Sequence, residues 1–454
     1  MSDAIPQSPL ATRRADAPRP KGRFAPEDRG CIELRVAQNL ADHPNLVCLP
    51  GSREAGSRGR LGLVGLPTRV HALSPSATAV ARAIDAKPPN CWRVVLLGYE
   101  LGAPGVFLPA ESAPRGQPTG LVCDLETALL VDHGRGTTQI WQSPKTDSTA
   151  RERLEAALRA TPPPLAPAAN AAPALEPVVD DATHSQRIRA CLEHIAAGDI
   201  YQANLSRRLR LTSPVAGLSL LAQLARHNPV AHSAYLRIQG QSHPFELVSN
   251  TMETLLTFDA STGTASSYPI KGTRGRHANP DADAQAARAL AADPKERAEH
   301  VMIVDLVRND LGKVCAPGSV WVPQLMGIEG YRGVWHGVSE VQGRLAANQS
   351  PGSLLESLFP GGSITGAPKR RAMEIIRELE AGPRGAYTGS IALVAPNGDI
   401  SCSILIRTLV ADAEGWSLNV GGGIVADSRP EREIQETWEK VSVFASRLAR
   451  AAAC

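Results

Sequence analysis

The feature that most constrains this fold is a proline-rich segment about a third of the way along the chain. Residues 161–177 read TPPPLAPAANAAPALEP, with six prolines and one charged residue. Because proline lacks the backbone N–H that helices and sheet ladders need, the segment predicts neither and is typical of a semi-rigid spacer. It indicates a linker at 159–177 between an N-terminal region, 28–158, and a C-terminal region, 178–454. Residues 1–27, rich in Pro, Arg and Ala, are predicted to be a disordered tail.

Composition and charge exclude several classes of protein. The chain of 454 residues is 43% hydrophobic but only 4% aromatic, so its core must consist mainly of Leu, Val, Ile and Ala. Its 48 basic and 45 acidic residues leave a net charge of +3, too balanced to favour nucleic acid or a membrane surface as a partner. No apolar run reaches the roughly 20 residues that span a bilayer, and the N-terminus lacks the apolar stretch of a secretory signal. The eight cysteines form no C-x-x-C pair, which favours the reducing cytoplasm over a disulfide scaffold or a zinc ribbon.

The two regions differ in their patterning. In the C-terminal region, apolar residues spaced like one helix face run from 188 to 195 and end before Gly198, and an alternating strand pattern follows over 200–211. The N-terminal region has strand-like runs at 92–99 and 127–131. It contains no phosphate loop, metal cluster or nucleophile motif, so we interpret it as structural scaffold.

A first helix of the C-terminal region carries two neighbouring carboxylates. Asp293 is positioned to cap this helix and Pro294 to be its first residue. Glu296 and Glu299 follow, three residues apart and therefore on one face. Residues 301–307 are almost wholly apolar, which predicts that the helix enters the core and that Glu299 lies at the point of entry.

A second helix is predicted to begin near Ser428, which is followed three residues later by Glu431. In helical projection Glu433, Glu436 and Lys440 fall within about 60°, away from the apolar stripe. If the two helices meet, their four carboxylates suit a hard cation such as Mg²⁺, which takes carboxylate oxygens, waters and an anionic substrate. The alternative is two ordinary amphipathic helices, and the spacing of the residues does not decide between them.

Two glycine-rich segments are candidate ligand sites. Residues 358–376 (LFPGGSITGAPKRRAMEII) place a glycine-rich turn before a helix with Pro368 near its first position, which leaves N–H groups free for an anion. This is not a Walker loop, because Ala367 stands where that loop needs Lys. Residues 419–428 (NVGGGIVADS) either allow close approach of the backbone to a ligand or form only a tight turn.

Lys271 is a third candidate. It lies between Pro269 and Gly272 in a turn-like context. A solvated lysine is the ordinary interpretation, but an amine buried near other cations would be neutral and nucleophilic.

Taken together, these segments resemble the chorismate-utilising enzymes, most closely the branch of aminodeoxychorismate synthase component I. The matching stretches, in the family's order, are AGDIYQANLSRRL (197–209), PIKGT (269–273), ERAEHVMIVDLVRNDLGKV (296–314), HGVSEVQG (336–343), LFPGGSITGAPKRRAMEIIRELE (358–380), AYTGSIA (386–392), ILIRTL (404–409), GGGIVADS (421–428) and QETWEKV (435–441). Weaker matches are LLGYELG (96–102) and DLETALLVDH (124–133). The resemblance implies an α+β fold of two packed β-sheets flanked by helices, with the chorismate-binding catalytic region at 178–454.

The resemblance also implies a role for each site residue. It implies that Glu299 and Glu436 bind Mg²⁺ directly, while Glu296 and Glu433 support it through water. The residues that it implies bind chorismate are Thr365, Tyr387, Arg407, Gly421, Gly422, Gly423 and Lys440.

Two positions separate the branches of the family. Isochorismate and salicylate synthases carry a water-activating Lys where this chain has Gln202, and anthranilate synthases carry Ala where it has Lys271. Both differences favour amination at ring carbon 4. Lys271 would attack ring carbon 2 with allylic displacement, Glu253 would protonate the departing 4-hydroxyl, and ammonia would add at carbon 4 and release the lysine. Around this acid the family's S-P-E-R is replaced by T-M-E-T at 251–254.

The resemblance implies a partner as well. The chain has no G-x-C-x-G elbow, so ammonia is expected from a separate glutamine amidotransferase subunit. The chain ends soon after the last motif, so the expected product is 4-amino-4-deoxychorismate, a precursor of para-aminobenzoate and folate, without a fused lyase. Anthranilate synthase component I and a non-catalytic chorismate-binding paralogue are the alternatives, and the presence of all four glutamates and Lys271 argues against the second.

Overall fold

The structure is a computed structural model of the chain. It describes residues 32–52, 56–88, 90–144, 146–162, 174–239, 244–380 and 382–451. The tail predicted at 1–27 and most of the predicted linker, residues 163–173, lie outside the described residues.

Helices in the described residues are distributed along the whole chain. They are α1 (Ile32–Asn39), α2 (Ala79–Asp85), α3 (Thr149–Arg159), α4 (Asp181–Ala196), α5 (Gly217–His227), α6 (Pro280–Ala292), α7 (Pro294–Gly312), α8 (Pro351–Leu358), α9 (Lys369–Leu379) and α10 (Pro430–Ala451). None of them is both long and apolar enough to cross a membrane.

Strands alternate with these helices. They are β1 (Leu46–Leu49), β2 (Leu61–Gly65), β3 (Arg69–Ala72), β4 (Trp92–Leu97), β5 (Gly120–Leu125), β6 (Thr127–Asp132), β7 (Thr137–Gln142), β8 (Leu175–Pro177), β9 (Gln202–Leu211), β10 (His232–Ile238), β11 (Phe245–Thr251), β12 (Thr254–Asp259), β13 (Thr264–Tyr268), β14 (Ile270–Gly275), β15 (Trp321–Gly330), β16 (Val334–Arg344), β17 (Gly366–Ala367), β18 (Ser390–Val394), β19 (Ile400–Ile404), β20 (Thr408–Asp412) and β21 (Gly415–Ile424).

The strands form two antiparallel sheets. The first has the order β17-β9-β21-β20-β11-β10-β1-β2-β6-β7, with β8 paired to β9. The second has the order β14-β16-β13-β12-β19-β18-β4-β5-β3, with β15 paired to β16. Strands from both the N-terminal and the C-terminal predicted regions enter each sheet, so the two regions share one framework.

Apolar side chains fill three main layers of this framework. One cluster, which includes Leu63, Val94, Leu247 and Leu393, lies between the two sheets. A second packs α1, α3, α5 and α10 on the outer face of the first sheet, and a third packs α2, α7 and α8 on the outer face of the second. This α+β arrangement of two packed sheets flanked by helices is the fold class predicted from the sequence.

Local signals in the sequence predicted several of these elements correctly. Asp293 caps α7, since its carboxylate accepts the N–H groups of Lys295 and Glu296 at 3.0 and 3.2 Å, and Pro294 is the first helical residue. Helix α4 ends at Ala196, and Gly198 follows in the left-handed region with φ +82°. The strand-like runs of the N-terminal region are β4 and β6.

Two local predictions are wrong. Residues 175–177 of the proline-rich segment form β8, because an edge strand tolerates Pro177 where a central strand would not. Helix α10 begins at Pro430 rather than near Ser428, and the Ser428 hydroxyl donates to Glu433 at 2.7 Å. Proline is favoured as a first helical residue because its missing N–H would have had no partner there.

Candidate active site

The predicted site residues come together where strands pass from one sheet to the other. Glu253 lies in the crossing between β11 and β12, and Arg407 lies in the crossing between β19 and β20. The two crossings are hydrogen-bonded, because Ile404 N–H donates to the Glu253 carbonyl at 3.0 Å and Asn250 N–H donates to the Arg407 carbonyl at 3.1 Å. The backbone therefore fixes the acid and the guanidinium relative to each other.

Glu253 is a buried carboxyl group, with 7% of the residue exposed. Burial raises its pKa, although the Ser363 hydroxyl that donates to it and the charges of Lys271, Lys440 and Arg407 act in the opposite direction. A raised pKa favours the protonated form, which is the form that a proton donor needs.

Two threonines hold the backbone around this acid. The Thr251 hydroxyl accepts the N–H of Glu253 at 3.2 Å, and the Thr254 hydroxyl lies 2.7 Å from Nε2 of His232. These hydrogen bonds hold both ends of the crossing. The two threonines of the T-M-E-T sequence at 251–254 therefore fix the backbone that carries the Glu253 carboxyl group.

Two residues with strained backbone lie at the crossing between β19 and β20. Arg407 and Thr388 have φ of +51° and +59°, and Thr388 N–H donates to the Leu405 carbonyl at 2.8 Å. Left-handed conformations of such residues are costly and cluster at functional sites. The buried Tyr387 hydroxyl lies against β21, since a Cβ on Gly421 would meet it at 2.9 Å, and burial raises the pKa of Tyr387 to about 12.

Lys271 projects from β14 into the same cleft. Its side chain is 18% exposed, and Nζ lies 3.6 Å from an oxygen of Glu299. A Cβ on Gly423 would lie 3.0 Å from this amine and 3.1 Å from Nε2 of Gln202. Gln202 is fully buried, and neither of its amide atoms has a hydrogen-bond partner among the described residues. An unsatisfied buried amide costs about 1–3 kcal/mol, which is typical of a site that awaits a ligand.

The carboxylates of α7 lie at its N-terminal end. Glu299 lies 4.0 Å from Lys295, one turn earlier, and Glu296 lies 3.8 Å from Arg274. Burial raises the pKa of Glu296, and the neighbouring charge of Glu299 raises it further. The positive end of the helix dipole favours negative charge at this end.

Helix α10 presents the second pair. Lys440 Nζ lies 2.7 Å from Glu436 and donates to the Gly421 carbonyl at 2.9 Å. Burial raises the pKa of Glu433, and the charge of Glu436 adds to the increase. Burial acts to raise the pKa of Glu436, but the charges of Lys440, Lys271 and Lys295 together outweigh it and the net shift is downward. A Cβ on Gly422 would lie 3.2 Å from Glu433, so the glycine backbone lies directly against this acidic face.

The two acidic helix faces border one cleft. Lys295 of α7 pairs with Asp427, just before α10, at 2.8 Å. Lys271 and Lys295 both lie close enough to Glu436 for their charges to lower its pKa. The two acidic faces, whose relative position the spacing of residues left open, therefore border the same cleft.

The four glutamates suit a hard divalent cation by their chemistry, because such cations prefer carboxylate oxygens. In each pair, burial and the like charge of the neighbouring glutamate raise the pKa of one member, and a bound cation would relieve this repulsion. In the described part of the chain, no group of three or more His, Cys, Asp or Glu side chains is close enough to hold a metal ion. Lysines instead approach the carboxylates, with Lys271 beside Glu299 and Lys440 beside Glu436. Binding of Mg²⁺ therefore stays a prediction.

Thr365 differs from the other predicted residues. It is fully buried, and its hydroxyl donates to the Gly361 carbonyl at 2.8 Å, inside its own loop. Its carbonyl accepts the N–H of Asn204 on β9 at 2.8 Å. These bonds fix the glycine-rich turn to the first sheet, and a contact of Thr365 with chorismate stays a prediction.

Sequence reasoning missed three side chains that the fold brings to the site. The Ser363 hydroxyl donates to Glu253. The buried His300 and His336 lie against the backbone of Lys271 and Gly272. Burial lowers the pKa of each histidine to about 4. Ser363 and the two histidines lie inside motif stretches, but their chemistry depends on contacts across the fold.

Comparisons with known proteins bear on the family and the fold of this chain. The family model described as chorismate binding enzyme matches residues 65–446. Aminodeoxychorismate synthase component 1 of Klebsiella aerogenes is 39% identical over 348 residues, covering 76% of this chain and 75% of that relative. Anthranilate synthase component 1 1 of Haloarcula marismortui is 46% identical over 256 residues, covering 56% of this chain and 51% of that relative. This chain therefore matches only about half the length of the second protein.

One solved structure shows the same fold. The crystal structure of anthranilate synthase component I from Streptococcus pneumoniae superposes with a TM-score of 0.73 at 24% sequence identity, covering 85% of this chain and 92% of that one.

Proposed function

This chain belongs to the family of chorismate binding enzymes, and on that premise we propose that it is the large subunit of an aminodeoxychorismate synthase. It would convert chorismate and ammonia to 4-amino-4-deoxychorismate. The observation that carries this proposal is the position of Lys271, whose amine lies between Glu299 of α7 and Gly423 of β21.

Chorismate carries two carboxylates, and the cleft offers basic groups to bind them. We assign this role to Arg407 and Lys440, which both follow Glu253 in the sequence and whose charges both act to lower its pKa. The Tyr387 hydroxyl and the backbone of residues 421–423 border the same space. Thr365 would contribute through the glycine-rich turn that it fixes.

Bond exchange on the ring requires a nucleophile and an acid. The Lys271 amine would form a bond to ring carbon 2 while the 4-hydroxyl leaves as water, protonated by Glu253. Ammonia would then bond to carbon 4 and expel the lysine amine from carbon 2. The raised pKa of Glu253 supports its role as the acid.

The cleft favours ammonia over water as the second nucleophile. Gln202 carries an amide beside Lys271, and a neutral amide cannot deprotonate water as a lysine can. We infer that a separate glutamine amidotransferase subunit supplies the ammonia, and the name component 1 of the Klebsiella relative supports a second subunit.

We further propose that Glu299 and Glu436 bind Mg²⁺, with Glu296 and Glu433 supporting it through water. The chemistry supplied by Mg²⁺ held there is neutralisation of a substrate carboxylate and of charge that develops as the hydroxyl leaves. The like-charge pairs at the ends of α7 and α10 support the assignment.

The proposal is tested by incubating the purified protein with chorismate, Mg²⁺ and an ammonium salt. We expect aminodeoxychorismate as the product and a large loss of its formation in Lys271→Ala, with folding unchanged. Anthranilate as the direct product would instead identify the function of the Haloarcula relative, and chorismate binding without turnover would identify a non-catalytic paralogue. Wild-type rates in Lys271→Ala would reject the covalent step.

The metal assignment has its own test. Glu436→Ala is expected to raise the Mg²⁺ concentration needed for half-maximal activity, because it removes a direct ligand. Glu439→Ala is the matched control, since Glu439 is exposed on the same helix and its side chain accepts from Gln435 at 2.9 Å. Equal Mg²⁺ dependence in the two variants would reject the assignment.

A further inference from the structure

Lys271 sits on a β-bulge in β14. Lys271 pairs with Gly337 of β16, and Thr273 pairs with its neighbour His336, so Gly272 is an extra residue. Gly272 has φ +81°, a conformation that favours glycine. Because such bulges redirect neighbouring side chains, the conformation of this one decides where the Lys271 amine lies.

Strand β16 contacts the backbone of the bulge at several points. Ser339 N–H donates to the Pro269 carbonyl at 3.1 Å, before the bulge. Nδ1 of His336 lies 3.2 Å from the Gly272 carbonyl, at the bulge itself. The Lys271 carbonyl packs so close to Gly337 that a Cβ there would meet it at 2.7 Å.

The Ser339 side chain connects this backbone to α7. Ser339 is fully buried, and its hydroxyl accepts the N–H of Met326 at 2.8 Å. The same oxygen lies 2.5 Å from Nε2 of His300. The imidazole is thereby held by one nitrogen, and its orientation is fixed by a side chain of β16.

The His300 ring also lies against the backbone of Lys271. His300 is fully buried, and its Nδ1 makes no hydrogen bond of normal geometry within the described ranges. Burial lowers the pKa of His300, and a hydrogen bond between the ring and the Lys271 backbone acts in the opposite direction, as a carbonyl acceptor would. A buried ring nitrogen without another partner is costly, which favours keeping the carbonyl at this place.

We propose that His300 and Ser339 are positioning residues that fix the bulge at Lys271–Gly272 and so aim the Lys271 amine at the substrate ring. The inference rests on the proposed function, because it takes Lys271 to be the nucleophile. Neither side chain needs to touch chorismate.

The expected effect on the rate follows from how far the Lys271 amine would be displaced. A nucleophile displaced by about 1 Å loses roughly 100-fold in rate. The groups assigned to the chorismate carboxylates, Arg407 and Lys440, lie on other elements, the β19–β20 crossing and α10. Loss of the positioning contact should therefore lower kcat and leave the KM for chorismate nearly unchanged.

The test compares His300→Leu with His300→Asn. Leucine fills a similar volume but cannot bond the Lys271 carbonyl, whereas the asparagine amide can place an N–H close to the position of Nδ1. We expect kcat to fall about 100-fold in His300→Leu and less than about tenfold in His300→Asn, with KM within about threefold in both. His71→Gln, at an exposed position on β3, is the control for replacing a histidine.

A second measurement needs no turnover. Free protein is treated with an amine-acylating reagent, and labelling of Lys271 is compared by peptide mass with that of Lys295, which is 54% exposed. We expect the ratio to rise at least about threefold in His300→Leu, because a released lysine side chain gains solvent, and to stay at the wild-type value in His300→Asn.

These two measurements separate this inference from the proposed function. Unchanged labelling together with equal kcat in the leucine and asparagine variants would overturn the positioning role. A changed labelling ratio combined with full activity of Lys271→Ala would support the positioning role and reject the covalent step. A loss that appears only in KM, or only as a lower melting temperature, would also overturn it.

Discussion

Substitution of Gly423 by alanine tests the geometry of the cleft with one added methyl group. The new Cβ would lie 3.0 Å from Nζ of Lys271 and 3.1 Å from Nε2 of Gln202. Ordinary non-bonded contacts of carbon lie near 3.5–4.0 Å. The amine must therefore move by about 0.5–1 Å, since the lysine side chain is flexible while the buried Gln202 and the backbone of β21 are not.

The consequence for catalysis is larger than the consequence for folding. A displacement of about 1 Å lowers the rate roughly 100-fold, and this equals about 2.7 kcal/mol of activation free energy. The free energy of unfolding should change by less than about 1 kcal/mol, because replacing glycine by alanine also restricts the unfolded chain.

The assay is the initial rate of chorismate consumption with saturating ammonium, beside thermal unfolding of the same samples. Gly275→Ala is the matched control, because Gly275 lies on β14 with Lys271 and a Cβ there would have no neighbour within 4 Å. We expect about twofold change or less in this control. Wild-type kcat in Gly423→Ala would refute the inferred position of the amine, and so would a loss matched by an equal loss in the control.

Two further predictions concern stability. Lys369→Met leaves the buried Asp310 without the amine that lies 2.7 Å away. We expect urea unfolding to show that the free energy of unfolding falls by about 3 kcal/mol, the low end for such pairs, because Lys313 still contacts Asp310. A fall of less than about 1 kcal/mol would contradict this. Burial raises the pKa of Glu100 to about 7 from an ordinary 4.5. Between these two pH values the unfolded state releases the proton more readily than the folded state, so rising pH should destabilise the wild type relative to Glu100→Gln. We expect the difference in the free energy of unfolding, measured by urea titration, to reach up to ~3 kcal/mol. A difference that does not depend on pH would count against the raised pKa.

Short-range signals explain the elements that the sequence predicted well. The cap of α7 needs only Asp293 and the two N–H groups that follow it, and the end of α4 needs only a glycine free to adopt positive φ. Each of these choices is made within one helical turn. The start of α10 was predicted two residues too early because two favourable local signals, Ser428 and Pro430, compete there.

Other features follow from contacts that no local pattern encodes. Strand β8 exists because β9 offers a free edge to residues 175–177, and composition had indicated only a spacer there. Ser363, His300 and His336 acquire partners from distant elements. Their roles could not be assigned before those elements were placed.

By itself the sequence determined which residues are candidates for the chemistry, because charge spacing along a helix, glycine-rich turns and the order of the motifs are properties of the linear chain. It also determined the α+β class. Only the tertiary structure decided that α7 and α10 border one cleft, and that Glu253 and Arg407 lie in adjacent crossings between the sheets. The physical reason is that these contacts join residues more than 100 positions apart, whose proximity depends on sheet pairing and core packing rather than on local conformational preference.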